Sequence, residues 1–217
     1  MNVLIVHAHE NPDSFCSALQ NRTKIFFEEL GHSVVVSDLY QQQFNPTGGV
    51  HDFTSSSGAE FYKYSSEQLY ASKHHGFTED LQIEMDKLVQ ADILNFNFPL
   101  WWFGFPAIMK GWVDRVMAYG VAYGGEYGFH EQGRFKGKRA FITMTTGSPE
   151  SAYQASGSNK RSMDLILQNI HDGIFGLVGY EVIDPFIGYG VSRIDDAARQ
   201  EILTQYDSYM EGFKKIE

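Results

Sequence analysis

The chain lacks several features that define common protein classes. It has a single cysteine, Cys16, so it has neither an internal disulfide framework nor a cysteine cluster for a metal. Residues 1–20 contain no basic segment followed by an apolar run and a cleavage site, so no signal peptide is predicted. No run of about 18 apolar residues occurs, so no integral membrane segment is expected. Together these absences predict a cytoplasmic protein.

Basic residues are outnumbered by acidic ones, 17 to 27, which gives a formal net charge of -10. A charge of this sign argues against binding to nucleic acid or to anionic membranes, because phosphate groups attract basic surfaces. Any phosphorylated ligand would have to be held locally, by a helix N-terminus, by backbone N–H groups and by a few cations. What the chain does have is 43% hydrophobic and 15% aromatic residues, enough for a folded core.

Short apolar segments alternate with amphipathic ones along the 217 residues, which predicts one α/β domain. The predicted strands are 2–8, 33–39, 92–98, 138–146 and 180–188. The predicted helices are 14–31, 78–91, 106–117, 162–179 and 195–213. A parallel five-stranded sheet, doubly wound in the flavodoxin-like order 2-1-3-4-5, accommodates this alternation because right-handed crossovers place helices on both faces.

Residues 40–77 are too long for an ordinary connection, and their Ser and Gly content predicts an inserted loop region. Several aromatic side chains in this region need a surface to pack against. They include Phe61, Tyr62, Tyr64 and Tyr70. A second subunit would provide that surface, so the region favours a homodimer.

In the predicted order, the carboxyl ends of strands 1, 3 and 4 border the crevice where ligands bind in such sheets. The loop after strand 3 carries Trp101, Trp102 and Phe103 in succession, between Pro99 and Pro106. Because consecutive side chains cannot all point one way, at least one ring must face the crevice or a partner. A rigid aromatic rim suits a planar heterocycle, and packing in the core or in an interface is the alternative.

The loop after strand 1 contains no glycine, so it lacks the dinucleotide-binding fingerprint G-x-G-x-x-G. It places His9, Asp13, Ser14 and Ser17 around a helix N-terminus, which suits a pyrophosphate. An ordinary N-cap formed by Asp13 or Ser14 is the alternative. Cys16 begins the same helix, which could lower its pKa, although a packed thiol is the favoured interpretation.

The loop after strand 4 is rich in hydroxyl groups and small residues. Gly147 would let backbone amides approach the edge of a ring closely, and Tyr153 could donate a proton or a hydrogen bond. A polar surface turn explains the composition equally well. Elsewhere, His74 and His75 have no carboxylate or cysteine at a metal-ligand spacing, so no metal site is predicted.

Five stretches, taken in order, resemble the NAD(P)H:quinone oxidoreductase family: LIVHAHENPDSFCSAL, SDLYQQQFNP, FPLWWFGFPAIMKGWVDRV, TTGSPESAY and YGVSRIDDAARQEIL. The resemblance implies a flavodoxin-like fold and a homodimer that binds FAD, with FMN the less expected cofactor. It also implies that NAD(P)H binds transiently and that quinones or related acceptors are reduced by two-electron, ping-pong hydride transfer. A one-electron flavodoxin and a regulatory subunit that docks on a potassium-efflux transporter are the alternatives.

The resemblance also implies roles for individual residues. The implied cofactor contacts are His9, Ser14, Phe15, Cys16, Pro99, Leu100, Trp101, Trp102, Phe103, Thr145, Thr146, Gly147, Ser148 and Arg199. Tyr153 and Asn159 match active-site positions, and Tyr123 matches an aromatic residue that contacts the substrate in the other subunit. Three residues depart from the family pattern, because Cys16 replaces an asparagine, Ser148 a glycine and Asn159 a histidine.

Overall fold

The computed structural model describes residues 1–215, and within them a parallel sheet positions the loops of the predicted crevice. The strands are β1 (Asn2–His7), β2 (Ser33–Asp38), β3 (Ile93–Pro99), β4 (Arg139–Thr145), β5 (Glu181–Val182) and β6 (Phe186–Gly188). Their order, β2-β1-β3-β4-β5 with β6 also paired to β4, confirms the flavodoxin-like arrangement. The single strand predicted over 180–188 is wrong. Residues 183–185 separate β5 from β6, and the last of them is a proline, which has no N–H for a ladder.

Helices cover both faces of the sheet. They are α1 (Phe15–Glu29), α2 (Tyr64–His74), α3 (Glu79–Gln90), α4 (Ala107–Val116), α5 (Met163–Ile170) and α6 (Asp196–Met210). Residues of α1 and α6 pack with Ile5 and Phe141 on one face, and residues of α3, α4 and α5 pack with Leu94 and Phe96 on the other. None of these described helices combines the length and the apolar character needed to cross a membrane.

The inserted region is not a loop throughout, because α2 occupies its second half. The buried residues of α2 are Glu67, Gln68 and Ala71, so no apolar periodicity marks the helix in the sequence. The Gln68 amide donates to the Asp114 carbonyl oxygen at 3.3 Å and accepts the Tyr119 N–H at 3.2 Å. Polar contacts therefore hold this helix where a hydrophobic stripe would usually do so.

A buried ion pair fixes the first half of the insert to α4. Arg115 is 2% exposed, and it donates from Nη2 and Nε to the buried Asp52 carboxylate at 2.6 and 3.1 Å. The same guanidinium donates to the Asn45 carbonyl oxygen at 2.5 Å. The chain can approach α4 closely only because residue 111 is glycine, where a Cβ would lie 2.2 Å from the Pro46 carbonyl oxygen.

The helix predicted over 162–179 changes its hydrogen-bond pattern midway. α5 ends at Ile170, and a π-helical turn follows over His171–Gly176. Turns of this kind are uncommon inside helices. Burial lowers the pKa of His171, whose Nε2 is buried and has no partner among residues 1–215.

Candidate active site

The ends of four strands meet at one edge of the sheet. β1 ends beside β3 with His7 opposite Asn97, and β3 ends beside β4 with Pro99 opposite Thr145. β6 ends beside β4 with Gly188 opposite Thr145. Because parallel strands point the same way, the loops that follow residues 7, 99, 145 and 188 leave from this edge together. The first three are the loops that the sequence predicted to lie together at the rim of a crevice.

The loop after β1 leads into the N-terminus of α1, which carries unpaired donors. Ser14 is the N-cap, and its Oγ accepts the Ser17 N–H at 3.1 Å. The N–H groups of Phe15 and Cys16 have no acceptor in the described part of the chain. First-turn N–H groups and the positive end of the helix dipole attract anions. The N-cap and the predicted pyrophosphate site therefore occupy the same place and do not exclude each other.

His9 and Cys16 flank this helix terminus in different ways. His9 is partly exposed, and its Nδ1 accepts the Asn11 N–H at 3.0 Å. The Cys16 side chain is 1% exposed, and its Sγ donates to Asn97 Oδ1 at 3.1 Å. Burial raises the pKa of the Cys16 thiol, so it is a packed thiol and not a thiolate. Any contact between Cys16 and a cofactor must come from its backbone N–H.

The loop after β3 is a two-residue hairpin turn built from aromatic residues. Leu100 donates its N–H to the last carbonyl of β4 at 2.8 Å, and the chain then turns back on itself. Trp101 and Gly104 exchange backbone hydrogen bonds of 3.2 and 3.0 Å around Trp102 and Phe103. Trp102 has φ 52° and Phe103 has φ 60°, in the left-handed region that side chains rarely adopt. Trp102 is 98% exposed, so core packing does not explain the aromatic run.

The loops after β4 and β6 are tied together through their backbones. Thr146 donates its N–H to the Gly188 carbonyl oxygen at 2.9 Å and accepts the Val191 N–H at 3.1 Å. Its hydroxyl donates to the Ser148 carbonyl oxygen at 2.7 Å. The N–H groups of Gly147 and Ser148 have no acceptor within residues 1–215. The turn therefore presents two free donors at the crevice rim.

Tyr153 and Asn159 lie in the continuation of the same loop. The Asn159 N–H donates to the Ala152 carbonyl oxygen at 3.1 Å, which brings residue 159 back toward Tyr153. The Tyr153 ring is 9% exposed and lies 5.8 Å from the Tyr189 ring, centroid to centroid. Burial raises the pKa of Tyr189 to about 12, so this neighbour stays neutral at physiological pH. The two residues matched to active-site positions are thus brought together by the fold.

A buried polar cluster that sequence reasoning missed lies beneath the rim. His7 is 2% exposed, and its Nδ1 is 2.6 Å from Asn97 Oδ1, the atom to which Cys16 also donates. His7 Nε2 is 3.1 Å from Ser17 Oγ. Burial lowers the pKa of His7. The sequence does contain a signal for this cluster, because His7 and Asn97 are polar residues in mostly apolar strands.

Comparisons with known proteins agree on this fold. A family model described as a flavodoxin-like fold matches residues 1–210. NAD(P)H dehydrogenase (quinone) 1 from Cavia porcellus is 35% identical over 211 residues, which cover 96% of this chain and 76% of that protein. The chain belongs to the NAD(P)H:quinone oxidoreductase family. The resemblance found in the sequence is confirmed.

Two further relatives of the family align over almost the whole chain. Ribosyldihydronicotinamide dehydrogenase (quinone) from Mus musculus is 35% identical over 219 residues, which cover 99% of this chain and 93% of that protein. A structure from Klebsiella pneumoniae, described as that of a candidate quinone reductase, has a TM-score of 0.91 and 34% identity. It covers 100% of this chain and 85% of the other.

Two residues that the family resemblance places at the site make other contacts in the single chain. Arg199 donates to the Val191 carbonyl oxygen at 3.0 Å and to Asp196 at 2.7 Å, so it supports the loop after β6. Tyr123 lines a groove of about 160 Å³ with Ile174 and Leu177. Burial raises the pKa of Tyr123. Their roles at a cofactor and at a partner's substrate stay predictions.

The donors and rings at this edge fit the flavin of such a family member. Free N–H groups on α1 suit phosphates, exposed rings suit a planar heterocycle, and free N–H groups after β4 suit its polar edge. By contrast, His, Cys, Asp and Glu side chains form no group of three that could hold a metal among the described residues. A cavity of about 700 Å³ lies elsewhere, between α2, α3 and residues 119–127.

Proposed function

We propose that this protein is an NAD(P)H-dependent flavoenzyme that reduces quinones or related acceptors. The observation that carries the proposal is that unpaired α1 donors, an exposed aromatic turn and free donors after β4 converge at one sheet edge. These are the phosphate, stacking and ring-edge contacts that a flavin nucleotide requires. The names of the relatives as dehydrogenases of the quinone type support the same activity.

FAD is proposed as the cofactor. Ser14 and the free N–H groups of the first α1 turn would hold its phosphates, with His9 beside them. The segment from Pro99 to Phe103 would line the ring, and the donors of residues 145–148 would meet its polar edge. Arg199 would contact the adenine end, because it already supports the neighbouring loop.

A bound flavin would supply the redox chemistry, which is hydride transfer from NAD(P)H to the acceptor. The chain orients the reactants, excludes water and directs N–H dipoles to the place where negative charge develops. Tyr153, which is 9% exposed and follows the free donors of the loop after β4, would donate a hydrogen bond there. Because one stacking surface would serve the donor and the acceptor in turn, ping-pong kinetics are expected.

A homodimer in the cytoplasm completes the proposal. Phe61 and Tyr62 remain 79% and 51% exposed although the insert around them is packed on α4, so they present an apolar surface for a second subunit. Tyr123 would reach the substrate of that subunit. The one thiol is buried and needs no oxidised partner, which agrees with a reducing compartment.

The test begins with the colour and the mass of the purified protein. We expect a yellow dimer that releases FAD on denaturation and oxidises NADH or NADPH with a panel of quinones. Tyr62→Ser should weaken the dimer in sedimentation, whereas Phe129→Ser, at a side chain that is also 51% exposed, serves as the matched control.

Three outcomes would contradict the proposal. A colourless protein that takes up neither FAD nor FMN cannot be a flavoenzyme. Release of FMN alone, with transfer of single electrons, would favour a flavodoxin carrier. Turnover that appears only when a potassium-efflux transporter is added would favour a regulatory subunit.

A further inference from the structure

Two adjacent cations lie at the end of the loop after β4. Lys160 and Arg161 are both exposed, and neither forms an ion pair or a side-chain hydrogen bond within the described part of the chain. Arg199, the cation proposed for the adenine end, is by contrast already paired with Asp196 at 2.7 Å. In a chain with a net charge of -10, two neighbouring cations without acidic partners are available to an anionic ligand.

The backbone of the loop holds these cations in a defined place. The Asn159 N–H donates to the Ala152 carbonyl oxygen at 3.1 Å. The Lys160 N–H donates to the Gly157 carbonyl oxygen at 3.0 Å, and a Cβ at residue 157 would lie 2.4 Å from a carbonyl oxygen of the preceding turn. Lys160 has φ 52°, a left-handed conformation that is strained for a side chain and clusters at functional sites. The loop therefore returns Lys160 to the turn that ends in Tyr153.

These cations lie away from the site proposed for the flavin phosphates. That site is the N-terminus of α1, and α1 packs with α6 on one face of the sheet. Arg161 immediately precedes Ser162, the N-cap of α5, and α5 packs on the opposite face. Along the edge, β3 separates β1 from β4, so their loops leave the sheet roughly 10 Å apart. A phosphorylated ligand other than the flavin can therefore meet the two cations.

Two carboxylates lie in the same neighbourhood. Glu150 in the loop and Asp164 on α5 both contribute to the raised pKa of Tyr189, so they lie near that ring. Neither forms an ion pair with Lys160 or Arg161. The carboxylates would repel an anion placed beside Tyr189, so the favourable position for a phosphate is at the two cations.

The hydride donor is the reactant whose phosphate content varies. NAD(P)H, after which the relative from Cavia porcellus is named, carries a pyrophosphate, and NADPH adds a 2′-phosphate. Ribosyldihydronicotinamide, after which the relative from Mus musculus is named, carries no phosphate. Arg and Lys bind phosphates through charge-assisted hydrogen bonds. Simple quinones have no phosphate, so such a contact would act on the donor and not on the acceptor.

We propose that Lys160 and Arg161 bind a phosphate group of the hydride donor and make this protein selective for NADPH and NADH over ribosyldihydronicotinamide. The nicotinamide would stack at the flavin beside Tyr153, while the phosphates reach the end of the loop. This inference rests on the proposed function, and it adds the residues that distinguish one donor from another.

Stopped-flow reduction of the FAD-loaded protein separates the donor step from the quinone step. NADPH, NADH and ribosyldihydronicotinamide are compared with the unsubstituted protein, Lys160→Gln and Arg161→Gln. Each substitution removes a charged hydrogen bond to phosphate, so the second-order rate constant for reduction should fall roughly tenfold with NADPH and stay unchanged with ribosyldihydronicotinamide. A loss with NADPH alone would assign the contact to the 2′-phosphate, and a loss with NADH as well would assign it to the pyrophosphate.

Lys136→Gln is the matched control, because Lys136 is an exposed, unpaired cation in the described part of the chain and precedes β4, at the opposite edge of the sheet. It should leave every rate unchanged. Binding of NADP⁺, which cannot reduce the flavin, gives a readout that does not depend on turnover. Its Kd should rise roughly tenfold in Lys160→Gln, and its dependence on salt should weaken. Reoxidation of the reduced flavin by an uncharged quinone should not change, which shows that the substituted proteins keep an intact site.

The possible failures are distinguishable. If Lys160→Gln and Arg161→Gln are reduced by NADPH as fast as the unsubstituted protein, this inference is overturned and the proposed function stands. The same holds if the rate falls equally with ribosyldihydronicotinamide, because phosphate is then not the cause. An unchanged Kd for NADP⁺ in both substituted proteins also overturns the inference. If no donor reduces the flavin of the unsubstituted protein, the inference and the proposed function are both overturned.

Discussion

Replacing Trp102 with glycine should make the flavin-free protein more stable and at the same time weaken its hold on FAD. Trp102 and Phe103 occupy the two central positions of a turn that needs positive φ at both, where glycine and asparagine are usual. Backbone outliers of this kind cluster at sites where function requires them. We therefore expect stability and cofactor binding to respond in opposite directions.

The magnitude follows from the conformation and the exposure of the residue. The left-handed backbone costs an ordinary residue about 1–2 kcal/mol, and glycine avoids that cost. Glycine also increases the conformational entropy of the unfolded chain, which offsets about 0.4–1 kcal/mol of that gain in stability. The Trp102 ring is 98% exposed, so its loss removes almost no packing. The free energy of unfolding should therefore rise by roughly 0.5–1 kcal/mol in Trp102→Gly and stay nearly unchanged in Trp102→Ala.

Urea denaturation of the flavin-free proteins, followed by circular dichroism, measures this difference. Gln43→Gly is the matched control, because Gln43 is exposed and also has φ 52°; it should gain similar stability and keep its affinity for FAD. Equal stability of the glycine and alanine variants would refute the strain argument. Undiminished FAD binding by Trp102→Ala would refute the stacking role.

Two other substitutions test the support of the site and its chemistry. Arg115→Met should lower the free energy of unfolding by about 3–5 kcal/mol, because it leaves the 1% exposed Asp52 carboxylate without its buried cationic partner. Adding Asp52→Asn should recover much of this loss in the same denaturation assay. Tyr153→Phe should preserve stability and slow the reduction of the flavin by NAD(P)H roughly 10- to 100-fold in stopped flow. An unchanged rate would remove Tyr153 from the catalytic residues.

The sequence predicted the sheet well because its strands are nearly continuous apolar runs and its helices carry clear caps. β1, β3 and β4 lie within two residues of their predicted bounds, and Ser14 caps α1 as one of the two proposed residues. Strand order followed from the alternation of elements. The strand order in turn predicted that the loops after strands 1, 3 and 4 lie together at one edge of the sheet.

The features that the sequence did not predict lie mostly where buried polar residues take the place of an apolar pattern. α2 was missed because Glu67 and Gln68 are buried and Ala71 is its only buried apolar residue. The cluster of His7 and Asn97 was missed because a polar residue in a strand does not by itself reveal a partner on another strand. Amino-acid composition also does not predict backbone conformation. The sequence therefore placed Trp102 in the loop after strand 3, but it did not predict that the side chain is exposed or that the turn has positive φ.

Asn159 offers a test of charge at the other end of the site. The family resemblance places a histidine at this position, and imidazole can accept a proton near neutral pH because its ordinary pKa is about 6.5. An amide cannot, so reduction of the flavin in this protein should show no kinetic pKa attributable to residue 159. Asn159→His should introduce one between about pH 5 and 8, with faster reduction on the acid side, where the imidazolium offsets developing negative charge. Stopped-flow reduction by NAD(P)H across this range compares the two proteins, and Ser158→His, at the exposed neighbouring residue, controls for an added histidine. Superimposable profiles for Asn159→His and the unsubstituted protein would mean that residue 159 does not face the flavin, despite the hydrogen bond that brings it back to Ala152.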